Sequence, residues 1–190
     1  HCTGDAAISA YVEAVRKTGT GPRLRHYVIH GDLLRHDDLR VMREEGLTLN
    51  ANPSIRWAVG RRVSPIIGEE RNLGKQRLRT AIDAGVNVAC ASDAPVMDPS
   101  WQVIMAAAMT RSLRDDPGYA DPERITAKEA VAAMSQHAAW QSHEDAWRGR
   151  LAAGMAADLI ILDGPADWAD PWTLPGLRPS AVLIDGAVVH

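Results

Sequence analysis

The 190-residue sequence contains no phenylalanine, and cysteine occurs only twice, as Cys2 and Cys90. Two cysteines are too few for a framework of several disulfides or for a four-cysteine zinc site. Cys90 also stands among apolar residues, as a small buried side chain would. A reducing compartment, the cytoplasm, is therefore the expected location. No apolar run approaches the roughly 20 residues that span a bilayer, so no membrane partner is expected.

An excess of positive charge is also missing. The chain has 21 Lys and Arg residues against 24 Asp and Glu residues, for a net charge of −3. This balance provides no broad cationic surface, so nucleic acid is not an expected partner. Hydrophobic residues make up 46% of the chain and charged residues 24%, which is typical of a folded domain with its own core.

Helical and strand patterns alternate along the chain up to about residue 137. Apolar residues at helical spacing predict a helix that starts near Ile8 and ends at Gly19. Further helices are predicted over 37–45 and 73–84, and strands over 24–30, 47–50 and 86–91. Ser100 is predicted to cap a helix that begins at Trp101, and Thr126 with Glu129 forms a capping box for a helix over 127–137. This alternation is typical of βα units around a parallel sheet.

The pattern changes at residue 151. Short strands predicted over 158–162, 181–184 and 187–189 have no helices between them, which favours antiparallel pairing. A long connection rich in Pro and Trp separates the first two. The sequence therefore predicts two parts, an α/β unit over residues 1–150 and a set of antiparallel strands over residues 151–190.

Three side chains with metal-binding or acid–base chemistry stand beside polar turns: His1, His30 and Asp93. His30 ends one predicted strand and Asp93 follows another, and in a parallel β/α barrel functional groups lie at the carboxyl ends of strands. Imidazole nitrogens and a carboxylate oxygen suit a zinc-like divalent cation, and such a carboxylate can also take a proton from water. Taken singly, however, a histidine in such a position is more often an ordinary core or surface residue.

Five sequence motifs occur in a fixed order. They are HCTGDAA at 1–7, RHYVIHG at 25–31, NP at 52–53, ASDAPV at 91–96 with DP at 98–99, and GRLAAGMAADL at 149–159. Together they closely resemble motifs of the amidohydrolase superfamily, in the amidohydrolase-3 branch that includes N-substituted formamide deformylases. The resemblance covers the whole chain. It implies a TIM-like (β/α)8 barrel with one or two divalent metal ions, such as zinc, and a small β-sandwich built from both chain ends.

The resemblance also implies roles for individual residues. His1 matches the metal ligand that ends barrel strand five, and His30 matches the ligand that ends strand six. Asp93 matches the acid after strand eight, which binds metal and shuttles the proton. His30 is preferred to His26 because only from His30 do the family's distances to Gly46 and Asn52 fit.

Two departures from the family pattern bear on the substrate. The family usually has Glu where this chain has Ile29, and Gln where this chain has Asn52. Asn52 remains a candidate substrate-binding residue, and a simple strand-ending turn is the alternative. Both changes alter polar groups near the rim, so the ordinary substrate range of the family does not transfer directly.

Other family features do not occur in these 190 residues. The seven histidines include no His-x-His pair, and the ligating residue of strand four is also missing. We therefore expect the chain to correspond to barrel strands five to eight and the last strands of the sandwich. It would be part of a metal-dependent hydrolase of carbon–nitrogen, amide-type bonds, with a small-molecule amide as substrate and little activity by itself. The metal site would be completed by the amino-terminal half of the barrel or by a homo-oligomer partner. The alternative is a non-catalytic half-barrel that pairs with another chain.

Overall fold

The computed structural model describes residues 1–119 and 121–190. It shows an α/β fold with a parallel sheet near the amino terminus and an antiparallel sheet near the carboxyl terminus. The helices are α1 (Asp5–Thr18), α2 (Gly21–Leu24), α3 (His36–Glu44), α4 (Pro53–Val59), α5 (Ser64–Ile67), α6 (Glu69–Leu73), α7 (Leu78–Asp83), α8 (Trp101–Thr110), α9 (Ala127–Met134) and α10 (Gln136–Gln141). The strands are β1 (Tyr27–Ile29), β2 (Thr48–Ala51), β3 (Asn87–Cys90), β4 (Leu159–Leu162), β5 (Pro179–Ile184) and β6 (Ala187–Val188). Short 3₁₀ helices cover Gly60–Val63 and Pro171–Gly176.

The parallel sheet has the order β1, β2, β3. Val28 pairs with Leu49, which pairs with Val88. A parallel bridge between Cys2 and His30 extends the sheet beyond β1. Four consecutive chain segments therefore run in the same direction, as βα units require.

One face of this sheet supplies the core. Val28, Leu49 and Val88 stand in register across the three strands and are completely buried. They belong to one apolar cluster with residues of the surrounding helices, including Ile8, Val12, Leu39, Met42, Leu78 and Ala81. Each such Val, Leu or Ile contributes about 1.5–3 kcal/mol by leaving water.

Several predicted local features are confirmed. Helix α1 ends at Gly19, whose φ of 62° is the left-handed conformation that glycine adopts without strain. The Ser100 side chain accepts a hydrogen bond from the Val103 N–H at the start of α8. The capping box of α9 is present in both directions between Thr126 and Glu129.

Other predicted boundaries were wrong. Leu24 ends α2 instead of starting a strand, because Arg25 takes a left-handed backbone conformation (φ 51°) that terminates the helix. The helix predicted from residue 73 begins only at Leu78. Residues 74–77 connect α6 to α7 and contain a second left-handed residue, Gln76 (φ 53°).

The antiparallel sheet has the order β4, β5, β6, with the predicted strand direction. Its apolar side chains remain largely exposed, among them Ile160, Ile161 and Ile184. The long connection before β5 attaches to the parallel-sheet region, because Leu174 is fully buried and the Trp172 ring lies 5.0 Å from the Trp57 ring. Trp172 therefore anchors this connection, whereas Trp168 is exposed.

Among the residues that the structure describes, no helix combines the length and the apolar character needed to cross a membrane.

Candidate metal centre

The predicted site residues follow parallel strands at the same edge of the sheet. His30 comes directly after β1, Asn52 directly after β2, and Asp93 three residues after the end of β3. Because the strands are parallel, their carboxyl ends lie together. One strand separates the His30 segment from the Asp93 segment, which corresponds to two inter-strand spacings of about 4.8 Å each.

The structure brings His1 and His30 together. Their ring centroids are 4.6 Å apart, with an interplanar angle of 84°. The backbone holds this pair in place, because the Cys2 N–H donates to the Ile29 carbonyl and the Gly31 N–H donates to the Cys2 carbonyl, both at 3.0 Å. The His30 ring is buried, whereas His1 is exposed. Two imidazoles from adjacent segments thus share one location at the carboxyl edge.

His30 and Asp93 share an uncommon backbone conformation. Their φ angles are 68° and 61°, in the left-handed region. For residues other than glycine this conformation costs about 1–3 kcal/mol and persists where the surroundings enforce it, often at functional sites. Five other non-glycine residues of the described chain share it, so it supports a special role for His30 and Asp93 without defining one.

Asp93 lies in a short hydrogen-bonded turn. The Val96 N–H donates to the Asp93 backbone carbonyl at 2.8 Å, and the Ala94 N–H donates to the Ser92 hydroxyl oxygen at 3.2 Å. Both bonds use backbone or serine atoms, so the turn holds its shape without using the Asp93 carboxylate. Asp93 as a whole is partly exposed at this edge of the sheet.

Asn52 connects two strand ends. It is 1% exposed, and its side-chain amide donates to the Ala91 carbonyl at 3.1 Å. Its Oδ1 atom is also buried and has no hydrogen-bond partner among the described residues. The amide thus fixes the chain two residues before Asp93, and substrate contact by Asn52 stays a prediction.

The donor set fits a divalent metal in type, since zinc-like ions accept imidazole nitrogen and carboxylate oxygen. The observation behind this fit is the contact between the His1 and His30 rings. Within residues 1–119 and 121–190, no group of three or more His, Cys, Asp or Glu side chains is arranged to hold a metal ion. A complete site therefore needs further ligands or a closer approach of Asp93.

Sequence reasoning missed a network of charged residues beside this edge. Asp32, two residues after His30, is paired with Lys75 at 3.1 Å. Behind Lys75, the Asp121 carboxylate accepts hydrogen bonds from Arg56 at 2.6 Å and from Arg111 at 3.2 Å. Those three side chains are at most 4% exposed. No local sequence pattern predicts such a network, because its residues come from separate parts of the chain.

Arg56, Arg111 and Asp121 form a trio in which two arginines share one carboxylate. One positive charge therefore has no negative counterpart within this arginine trio. The pKa of Arg111 is lowered to about 10, chiefly by burial and in part by the neighbouring Arg56, while Asp121 and Glu123 oppose the shift. Arg56 Nε and one terminal nitrogen of Arg111 have no partner among the described residues. The trio is therefore costly to bury and depends strongly on Asp121.

Comparison with known proteins identifies the family of this chain. The sequence profile of the Amidohydrolase family matches residues 1–190. The chain belongs to this family.

Two curated relatives match nearly the whole chain. N-substituted formamide deformylase from Arthrobacter pascens is 31% identical over 195 residues, which cover 99% of this chain and 34% of that protein. The putative amidohydrolase YtcJ from Bacillus subtilis (strain 168) is 25% identical over 205 residues, covering 100% of this chain and 36% of that protein. The chain thus spans about a third of the length of each of these relatives.

A solved structure shares the fold. An uncharacterized metal-dependent hydrolase from Pyrococcus horikoshii superposes with a TM-score of 0.74 at 21% identity, covering 100% of this chain and 35% of that one. At this identity the likeness shows the fold alone. It confirms the expected α/β class, related to amidohydrolase TIM barrels.

Proposed function

We propose that this chain supplies part of a metal-dependent hydrolase that cleaves carbon–nitrogen bonds of the amide type. The observation that carries this proposal is the contact between the rings of His1 and His30 at the carboxyl edge of a parallel sheet. The family membership and the name of the deformylase relative support the reaction class. The chain matches only about a third of the length of each relative, which supports the proposal that the remaining barrel strands lie outside residues 1–190.

In this proposal His1 and His30 hold a divalent metal, zinc or a similar ion, and Asp93 contributes a carboxylate from two strands away. When bound, the metal supplies Lewis-acid chemistry, because it polarises the amide carbonyl and makes water more acidic. The remaining ligands, and the choice between one and two ions, belong to the missing part of the barrel or to a partner subunit.

Asp93 acts as the proton carrier. Its carboxylate accepts a proton from the attacking water and delivers it to the amide nitrogen as the carbon–nitrogen bond breaks. The hydrogen-bonded turn over residues 92–96, which carries Asp93 after β3, supports this role. Asn52 supports the same segment through its bond to the Ala91 carbonyl.

The substrate is a small amide. Ile29 is partly buried at the end of β1, and it places an apolar side chain where the family usually carries a carboxylate. We therefore expect a less charged substrate than a glutamate at this position would favour. N-acyl and N-formyl amines are the first compounds to test.

The test is Asp93→Asn in the whole protein that contains this chain. An amide side chain occupies the same space but accepts no proton from water, so kcat should fall about 10²- to 10⁴-fold. Turnover of a panel of N-acyl and N-formyl amines is measured together with metal content. Asp83→Asn is the matched control, because Asp83 forms an exposed ion pair with Arg79 on α7, and it should leave the rate unchanged.

Two outcomes contradict the mechanism. Full activity of the Asp93→Asn variant removes Asp93 from proton transfer, and robust turnover by residues 1–190 alone shows that no further ligands are needed. A whole protein that binds no metal and cleaves no amide favours the alternative of a non-catalytic half-barrel that pairs with another chain.

A further inference from the structure

The turn after His30 is fastened by two consecutive residues from a distant part of the chain. The Lys75 ammonium lies 3.1 Å from one carboxylate oxygen of Asp32. The Gln76 side-chain amide donates to the other oxygen at 3.0 Å, and the Gln76 backbone N–H donates to the Asp32 carbonyl at 2.9 Å. Asp32 is therefore held at both its side chain and its backbone, two residues beyond His30.

Lys75 and Gln76 are themselves held from behind. Arg111 donates to the Lys75 carbonyl at 2.6 Å, and Arg56 donates to the Leu73 carbonyl at 3.2 Å. Lys75 and Gln76 are 9% and 1% exposed. A continuous set of buried and partly buried polar contacts thus runs from the arginine trio to the turn that carries His30.

This turn needs such support. His30 and Gly31 both adopt left-handed backbone conformations, with φ angles of 68° and 60°. A Cβ atom on Gly31 would lie 2.4 Å from a methyl carbon of Leu49, so the turn packs tightly against β2. Burying a lysine is unfavourable even when it is paired, and apolar replacements of buried ion pairs are often as stable. Stability alone therefore does not explain why a lysine stands here.

We propose that Lys75 and Gln76 are positioning residues, which act through Asp32 to fix the turn after His30 and so set the His30 imidazole against His1. The metal-binding role of His30 rests on the function proposed above. The positioning itself is a property of the metal-free chain, so it has its own test.

The experiment compares the rings of His1 and His30 by nuclear magnetic resonance in the metal-free chain. With ring centroids 4.6 Å apart, protons of the two rings are close enough for measurable cross-relaxation. In Lys75→Met this signal should weaken, because the substitution removes one of the three contacts that hold Asp32. Lys128→Met replaces an exposed lysine of α9 and should preserve the signal.

A second variant and a stability control keep the test decisive if Lys75→Met does not fold. Gln76→Met removes one bond to Asp32 at little cost, because Gln76 Oε1 is already buried without a partner among the described residues; it should weaken the signal. Leu47→Ala destabilises the fold at the amino end of β2, opposite the sheet edge that carries His30, because Leu47 is buried there; it should preserve the signal. Unchanged cross-relaxation in the folded variants of Lys75 and Gln76 overturns the proposal, and so does an equal weakening in Leu47→Ala.

Metal affinity of the whole protein separates this inference from the proposed function. Replacing a residue that orients a metal ligand typically lowers affinity about 10- to 100-fold, and Lys75→Met should do the same for zinc. If the parent protein binds no zinc but the ring contact still depends on Lys75, the proposed function fails while the positioning role stands. If zinc binds and the ring contact is unchanged in Lys75→Met and Gln76→Met, the positioning role fails instead.

Discussion

The two sheets are built from similar residues but differ in what covers them. In the parallel sheet Val28, Leu49 and Val88 are completely buried beneath helices. In the antiparallel sheet Ile160, Ile161 and Ile184 remain 46–58% exposed. Aliphatic strand sequences therefore specify strand pairing in both sheets, whereas they add stability only where another layer packs on the strands.

The attachment of the second sheet strengthens this contrast. Its connection reaches the parallel-sheet region through Leu174 and Trp172, and the Trp172 indole N–H donates to the Ser112 hydroxyl oxygen at 3.1 Å. The buried part of this region is thus the connecting segment before β5, not the strands. Substitutions in the two sheets should therefore have very different effects on the free energy of unfolding.

The largest effect on stability is expected from Asp121→Asn. Removing this carboxylate leaves Arg56 and Arg111 buried without an anionic partner, which should lower the free energy of unfolding by about 3–5 kcal/mol. Urea denaturation followed by circular dichroism measures the change. Asp116→Asn is the matched control, because its ion pair with Arg61 is 38–39% exposed and surface pairs contribute about 0–1 kcal/mol. Equal effects of the two substitutions would show that the buried network contributes no more than a surface pair.

Leu49→Ala tests the covered sheet. Leu49 lies in the central strand β2 and is fully buried, so the substitution removes apolar contacts and leaves a cavity. The free energy of unfolding should fall by about 2–5 kcal/mol. A loss below 1 kcal/mol in the same urea experiment would contradict the central place of this residue in the core.

Ile161→Ala applies a comparable truncation to the uncovered sheet. Ile161 is half exposed in β4, and the change should lie within about 0.5 kcal/mol in the free energy of unfolding of residues 1–190. A cost equal to that of Leu49→Ala would break the contrast between the two sheets, and it would mean that another layer covers β4 in solution.

Local signals explain why much of the fold was predictable. The capping box of Thr126 and Glu129, the Ser100 cap and Gly19 each act within a few residues, so each is readable from sequence. Parallel strands then bring His1 and His30 to one edge by topology, and the family motifs select these two from seven histidines.

The remainder of the structure depends on contacts that sequence does not display. Helices α4, α5 and α6 have only four to seven residues each, too short for an apolar period to appear. Lys75 was indistinguishable from a surface lysine, because its partner Asp32 precedes it by 43 residues and reaches it only through the fold. The metal roles of His1, His30 and Asp93 and the substrate role of Asn52 remain predictions.

The arginine trio has a consequence for the order of folding. Arg56 and Asp121 are 65 residues apart in the chain, and Arg111 and Lys75 are 36 apart. Closing such long loops lowers the conformational entropy of the chain before the contacts can form. We therefore expect these bonds to form after the local helices and the neighbouring strands. Contacts absent from the folding transition state chiefly slow unfolding. The trio should therefore slow unfolding of the native state more than it speeds folding.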